Sequence, residues 1–153
     1  MTLEVRQDDL SGAEVQALLR EHMAGMMSES PPESVHALPL DKLRQPDVTF
    51  WSVWSGEALC GCGALKALGS RHGEVKSMRT RPGFLRQGVA QAVLSRIVQE
   101  AALRGYERLS LETGSTPAFH AAHALYARNG FTVCGPFGDY AADPFSVFMN
   151  RVL

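Results

Sequence analysis

A chain of 153 residues, 45% apolar and 20% charged, suits one soluble domain spanning 1–153 that can bury a real core. Its 15 Lys and Arg against 16 Asp and Glu give a formal net charge of -1, which excludes a general nucleic-acid or membrane-surface binder built on basic excess. Any anion the protein handles must therefore be met by local positive charge.

Nowhere do about 18 apolar residues follow one another, so no membrane span is expected. The start MTLEVRQDD lacks the basic and apolar regions of a signal peptide. Cysteines occur at Cys60, Cys62 and Cys134, an odd number. Cys60 and Cys62 are expected on one face of a strand, where bridging is awkward. A single C-x-C lacks the second ligand pair of a structural zinc site. The expectation is a cytoplasmic protein with no disulfide framework and no metal.

Leu3 to Asp8 reads as a short strand, and Ser11 is expected to cap the helix after it. In that helix Val15, Leu18, Leu19, His22, Met23 and Met26 form one stripe at helical spacing. Pro31 and Pro32 end it. A loop with one turn of helix near Leu40 to Arg44 follows. Val48 to Ser55 and Ala58 to Leu68 are β-rich runs joined by Gly56-Glu57, a hairpin signal, and Glu74 to Thr80 makes a third strand. Val89, Val93, Leu94, Ile97, Val98 and Ala101 then mark an amphipathic helix stopped by Gly105. Arg108 to Glu112 is a strand, Pro117 to Asn129 a helix closed by Gly130, and strands from Phe131 and Phe145 end the chain. The order predicts an α+β fold in three layers: a mixed, largely antiparallel sheet of about seven strands, partly parallel, with helices on both faces.

Between Lys76 and Arg86 stand Lys76, Arg79, Arg81 and Arg86 and no acid, a positive patch on a nearly neutral chain. Gln87 and Gly88 then open the amphipathic helix. Free amides and the positive dipole end at such a helix start bind phosphate readily. Gly88, without a Cβ, lets a pyrophosphate approach the backbone. Neither a Walker A loop nor a G-x-G-x-x-G fingerprint is present.

Leu85-Arg86-Gln87-Gly88-Val89-Ala90 resembles motif A of the GNAT acetyltransferases, written [QR]-x-x-G-x-[GA], except that Leu85 stands at the polar first position. The preceding strand EVKSMRTRP and the later Leu125-Tyr126-Ala127-Arg128-Asn129-Gly130-Phe131, close to L-Y-x-x-x-G-F, fit the same family in order and spacing. The resemblance implies that acetyl-CoA is the co-substrate, bound by Met78, Thr80, Leu85, Arg86, Gln87, Gly88, Val89, Ala90, Phe119 and Ala122. Phe119 stands where many members carry Asn, so an apolar contact is expected there.

By the same resemblance, acetyl passes directly to an amine with no covalent enzyme intermediate, and Tyr126 protonates the leaving thiolate. The Met78 amide is the expected oxyanion donor. Glu74 is the preferred base, with Glu112, His36, His72, His120 and His123 as rivals. The first helix and the loop Ser30 to His36 after it are expected to touch the acceptor, and Phe50, Trp51, Trp54 and Tyr140 to line an apolar wall. Three acceptor readings stay open: a small-molecule amine, a protein N-terminus or lysine, or none, in an acyl-CoA-binding module. An alternating C-terminal strand left at a sheet edge would favour a homodimer.

Overall fold

The computed structural model describes residues 2–153. In chain order the elements are β1 (Glu4–Gln7), α1 (Ala13–Glu29), α2 (Leu40–Leu43), β2 (Val48–Ser55), β3 (Ala58–Ala67) and β4 (His72–Thr80). There follow α3 (Val89–Leu103), β5 (Arg108–Gly114), α4 (His120–Arg128), β6 (Thr132–Cys134) and β7 (Ser146–Val152). All seven strands join one sheet in the order β1-β2-β3-β4-β5-β7-β6. Among the described residues only the β4–β5 pair is parallel, because α3 carries the chain across the sheet between them.

The β2–β3 hairpin turns on Gly56-Glu57, with Gly56 at φ 60°, a conformation that costs glycine little. The apolar stripe of α3 buries Val89, Val93, Leu94, Ile97 and Ala101. It packs on one sheet face with Val53, Leu65, Val75 and Leu109, and Leu125 and Tyr126 of α4 complete that core. On the other face Val15 and Leu18 of α1 and Leu43 of α2 cover Phe50, Leu59, Cys62 and Ala64. Each large side chain so buried stabilises the fold by about 1.5–3 kcal/mol before ordering costs.

Several expectations need correction. Ser11 does not cap α1: Gly12 holds the N-cap position, and the Ser11 hydroxyl donates to Asp9 Oδ1 at 2.6 Å. Cys60 and Cys62 lie on opposite sheet faces, Cys60 in the α3 core and Cys62 in the α1 core. The cause is a register shift in the β2–β3 ladder, where Val53 pairs with Gly61 but Trp54 pairs with Leu59. β7 is not an edge strand, since β6 covers its outer side, so the expected homodimer loses the edge that motivated it. No helix among the described residues is long and apolar enough to cross a membrane.

Candidate active site

Two local irregularities in β4 make the site. The parallel ladder to β5 runs from His72↔Arg108 to Val75↔Leu111 and stops there. Beyond it β4 continues to Thr80 and β5 to Gly114, so the sheet opens between them and frees backbone groups on both strands. On its other side β4 carries a bulge: Lys76 pairs with Ala64 and Arg79 with Cys62, so Ser77 and Met78 together face Gly63. Ser77 takes the strain at φ 57°.

A cavity of about 650 Å³ fills the opening. Its walls are Val75 to Thr80 of β4, Gly88 to Gln91 at the start of α3, Glu112 and Thr113 of β5, and the face of α4 from Ala121 to Tyr126. His22 and Met26 of α1 and His36 and Ala37 of the following loop close one side.

At the α3 end, Gly88 is the N-cap at φ 84°, ψ 9°, and nothing lies within 4 Å of where a Cβ would project. Arg86 is also left-handed, at φ 61°. The amides of the first helical turn have no carbonyl behind them and face a positive dipole end, which suits a phosphate. The expected Leu85, Arg86, Gly88, Val89 and Ala90 all line the cavity; Gln87 does not, and its amide reaches back toward the Gly83 carbonyl at 3.5 Å. Met78, Thr80, Phe119 and Ala122 line it as well. The Phe119 ring lies against Gly114, where a Cβ would come within 2.1 Å of it, so only glycine fits.

The basic patch does not stay together. Arg86 lines the cavity, joined by Arg128 of α4. Arg81 turns to β3 and donates to the Leu59 carbonyl at 3.1 Å. Lys76 and Arg79 face α1 instead.

Tyr126 is 6% exposed, lines the cavity, and stacks edge-on against Phe131 at 5.8 Å. Burial first, and the Glu112 carboxylate second, push its phenol well above the ordinary tyrosine range, so it is protonated at neutral pH. Glu112 lines the same wall, and burial raises its carboxyl, opposed by Ser146, His36 and Lys76.

Glu74 is placed differently. It is 2% exposed and does not line the cavity. One of its oxygens accepts from Lys76 Nζ at 3.2 Å and from the Tyr140 hydroxyl at 2.5 Å. Of the histidines, His36 lines the cavity. His72 is held by Ser110 at 2.6 Å and His123 by the Gly114 carbonyl at 2.7 Å, and His120 lies outside the wall. Phe50 and Trp51 belong to the two cores rather than to a substrate wall. Gln91 and Arg128 line the cavity without being singled out as site residues in sequence, and His22 does so from the α1 stripe; their helical spacing toward Gly88, Leu125 and Met26 is the signal the sequence carries.

Residues 15–131 match the family model described as the acetyltransferase (GNAT) family. The chain is 56% identical to the uncharacterized N-acetyltransferase YsnE of Bacillus subtilis (strain 168), over 99% of this chain and 100% of that one. It is 54% identical to the uncharacterized N-acetyltransferase YedL of Escherichia coli (strain K12), over 97% and 94%. Among solved structures it resembles the PaiA N-acetyltransferase of Thermoplasma acidophilum in complex with coenzyme A, with a TM-score of 0.74 and 14% identity over 100% of both chains.

Proposed function

Because this chain belongs to the GNAT acetyltransferase family, we propose that it moves an acetyl group from acetyl-CoA to a primary amine of a small molecule, directly and in the cytoplasm. The observation that carries this reading is the open wedge between β4 and β5 with the free amides of α3 at one end and the Tyr126 ring inside it. Its residues suit the coenzyme: the clear space at Gly88 and Arg86 for pyrophosphate, Phe119 and Ala122 for an apolar arm. Its volume, about 650 Å³ and walled by α1 and the His36 loop, favours a small acceptor over a protein segment.

In the proposed reaction the neutral amine nitrogen attacks the thioester carbonyl carbon. The N–C bond forms, the C–S bond breaks, and the sulfur leaves with the electron pair. Glu112 takes the proton that the amine loses; its carboxyl, raised by burial, is poised closer to neutrality than an exposed one. Tyr126 gives a proton to the departing sulfur. The Met78 amide, on the bulged and unpaired stretch of β4, suits the oxyanion. Glu74 acts through Lys76 and Tyr140, which hold its carboxylate, rather than on the amine itself.

The test is CoA binding together with thiol release from acetyl-CoA over a panel of small amines. Gly88→Val fills the space at the helix start and abolishes CoA binding. Gly88→Asn, which tolerates the left-handed backbone, keeps the fold and weakens binding too. Unchanged CoA affinity in folded Gly88→Asn would remove the phosphate cradle. Tight CoA binding with no thiol release from any amine would instead favour a binding module.

A further inference from the structure

The bulge in β4 decides which cations meet α1. Lys76 and Arg79 stand three apart and would face opposite sides of a regular strand. With Ser77 and Met78 both opposing Gly63, they pair with Ala64 and Cys62, two residues of the core under α1. Both side chains therefore face α1, on the side of the sheet away from α3. Lys76 is neutralised there by Glu74 at 3.2 Å. Arg79 is not: among the described residues no carboxylate lies within 4.0 Å of it.

Arg79 is nevertheless held. Its guanidinium lies on Gly25 in the middle of α1, where a Cβ would stand 2.9 Å from one nitrogen, 3.0 Å from the other and 3.3 Å from the central carbon. Glycine is a poor helix former, so its place in the interior of a 17-residue helix needs a reason, and room for this cation is one. One turn earlier, His22 is 8% exposed, lines the same cavity, and has an Nδ1 that is buried with no hydrogen-bond partner. A buried polar atom left unpaired is costly, and a ligand in the cavity can supply its partner. Burial, with Arg79 and Lys76 next, lowers this imidazole to about 4, so it adds no second charge.

We propose that the acceptor amine carries a carboxylate, received by Arg79 over Gly25 with His22 as its neutral polar neighbour. This rests on the acetyltransferase reading only for the word acceptor. An uncompensated guanidinium in a partly enclosed wall binds a carboxylate through two parallel hydrogen bonds, which an amide or a bare amine cannot match. The coenzyme phosphates have their own site at α3, across the sheet.

The test uses the CoA-loaded protein with matched pairs: N-acetyl amino acids against their amides by calorimetry, and free amino acids against their amides by thiol release. Wild type should prefer the acids by about tenfold or more. Arg79→Gln should erase that preference and leave the Kd for CoA within about twofold. Gly25→Ala should reduce it with no fall in Tm, because the added Cβ displaces the guanidinium while improving the helix. Equal binding of acids and amides by wild type overturns the proposal. So does an Arg79→Gln loss that falls on CoA instead of the acids, which would give the cation to the coenzyme. An acid preference in binding that follows Arg79 with no thiol release from any amine sustains the anion site and defeats the acetyltransferase reading alone.

Discussion

Gln91 and Asn129 exchange two side-chain hydrogen bonds, each 2.9 Å, and so clamp the first turn of α3 to the end of α4. Asn129 also donates to the Leu125 carbonyl, and its own carbonyl accepts from Arg151. The start of α3 and the helix that carries Tyr126 are thereby held in one frame.

Asn129→Ala should cost about 1 kcal/mol of stability, the usual net worth of such bonds near solvent. It should also weaken CoA several-fold, because the free amides of α3 lose their fixed place opposite α4. Denaturant titration and calorimetry read the two effects. A stability loss with CoA affinity untouched would make the clamp a purely structural contact.

Tyr126→Phe keeps the ring against Phe131, so Tm and CoA affinity should hold. The fall should be in kcat, by about 100-fold, the low end for general acid assistance, since a thiolate already leaves fairly well. Acceptor KM should stay close to its wild-type value. Wild-type turnover in this variant would leave the phenol a packing role and assign the proton to water.

Glu112 links activity to pH and to stability with opposite signs. Burial raises its folded carboxyl above 4.5, so the folded state binds more protons and stability falls as pH climbs from 4.5 through the raised value. Glu112→Gln removes that loss, and the variant should melt no lower than wild type at pH 7. Its kcat should drop by about 100-fold, and the acidic limb of the rate profile should vanish. An acidic limb that survives unchanged would take the base role from Glu112.

His22 gives the reverse stability slope. Its folded value of about 4 lies below the ordinary 6.5, so between those values the unfolded chain binds more protons. Stability is whole above pH 6.5 and declines as pH falls toward 4, by about 3 kcal/mol in all. His22→Leu should flatten that decline in urea titrations run from pH 7 to pH 4. It should also remove the unpaired nitrogen, so stability at pH 7 should not fall. The wild-type pH slope persisting in His22→Leu would exclude this side chain as its source.

What the sequence by itself determined are the features carried by short-range spacing. Period-2 and period-3.6 patterns set the strands and helices nearly to their ends, as at Val48–Ser55. Gly88 before Val89, Val93 and Ile97 marked the helix start because a left-handed cap needs only a local turn that glycine adopts freely. The resemblance of residues 125–131 to the family's L-Y-x-x-x-G-F ending pointed to Tyr126, which lines the cavity. The tertiary structure alone decided which groups share the cavity. Lys76 to Arg86 reads as a single basic patch, yet one bulge at Ser77 and one turn at Pro82 send Arg81 to Leu59, Arg79 to Gly25 and Arg86 to the cavity wall. In sequence Glu74 is preferred over Glu112; the end of the β4–β5 ladder at Val75↔Leu111 instead leaves Glu112 in the opening and Glu74 under Tyr140. A register shift changes the face of every residue beyond it, and where two strands part depends on what packs between them, so neither can be read from the residues in order.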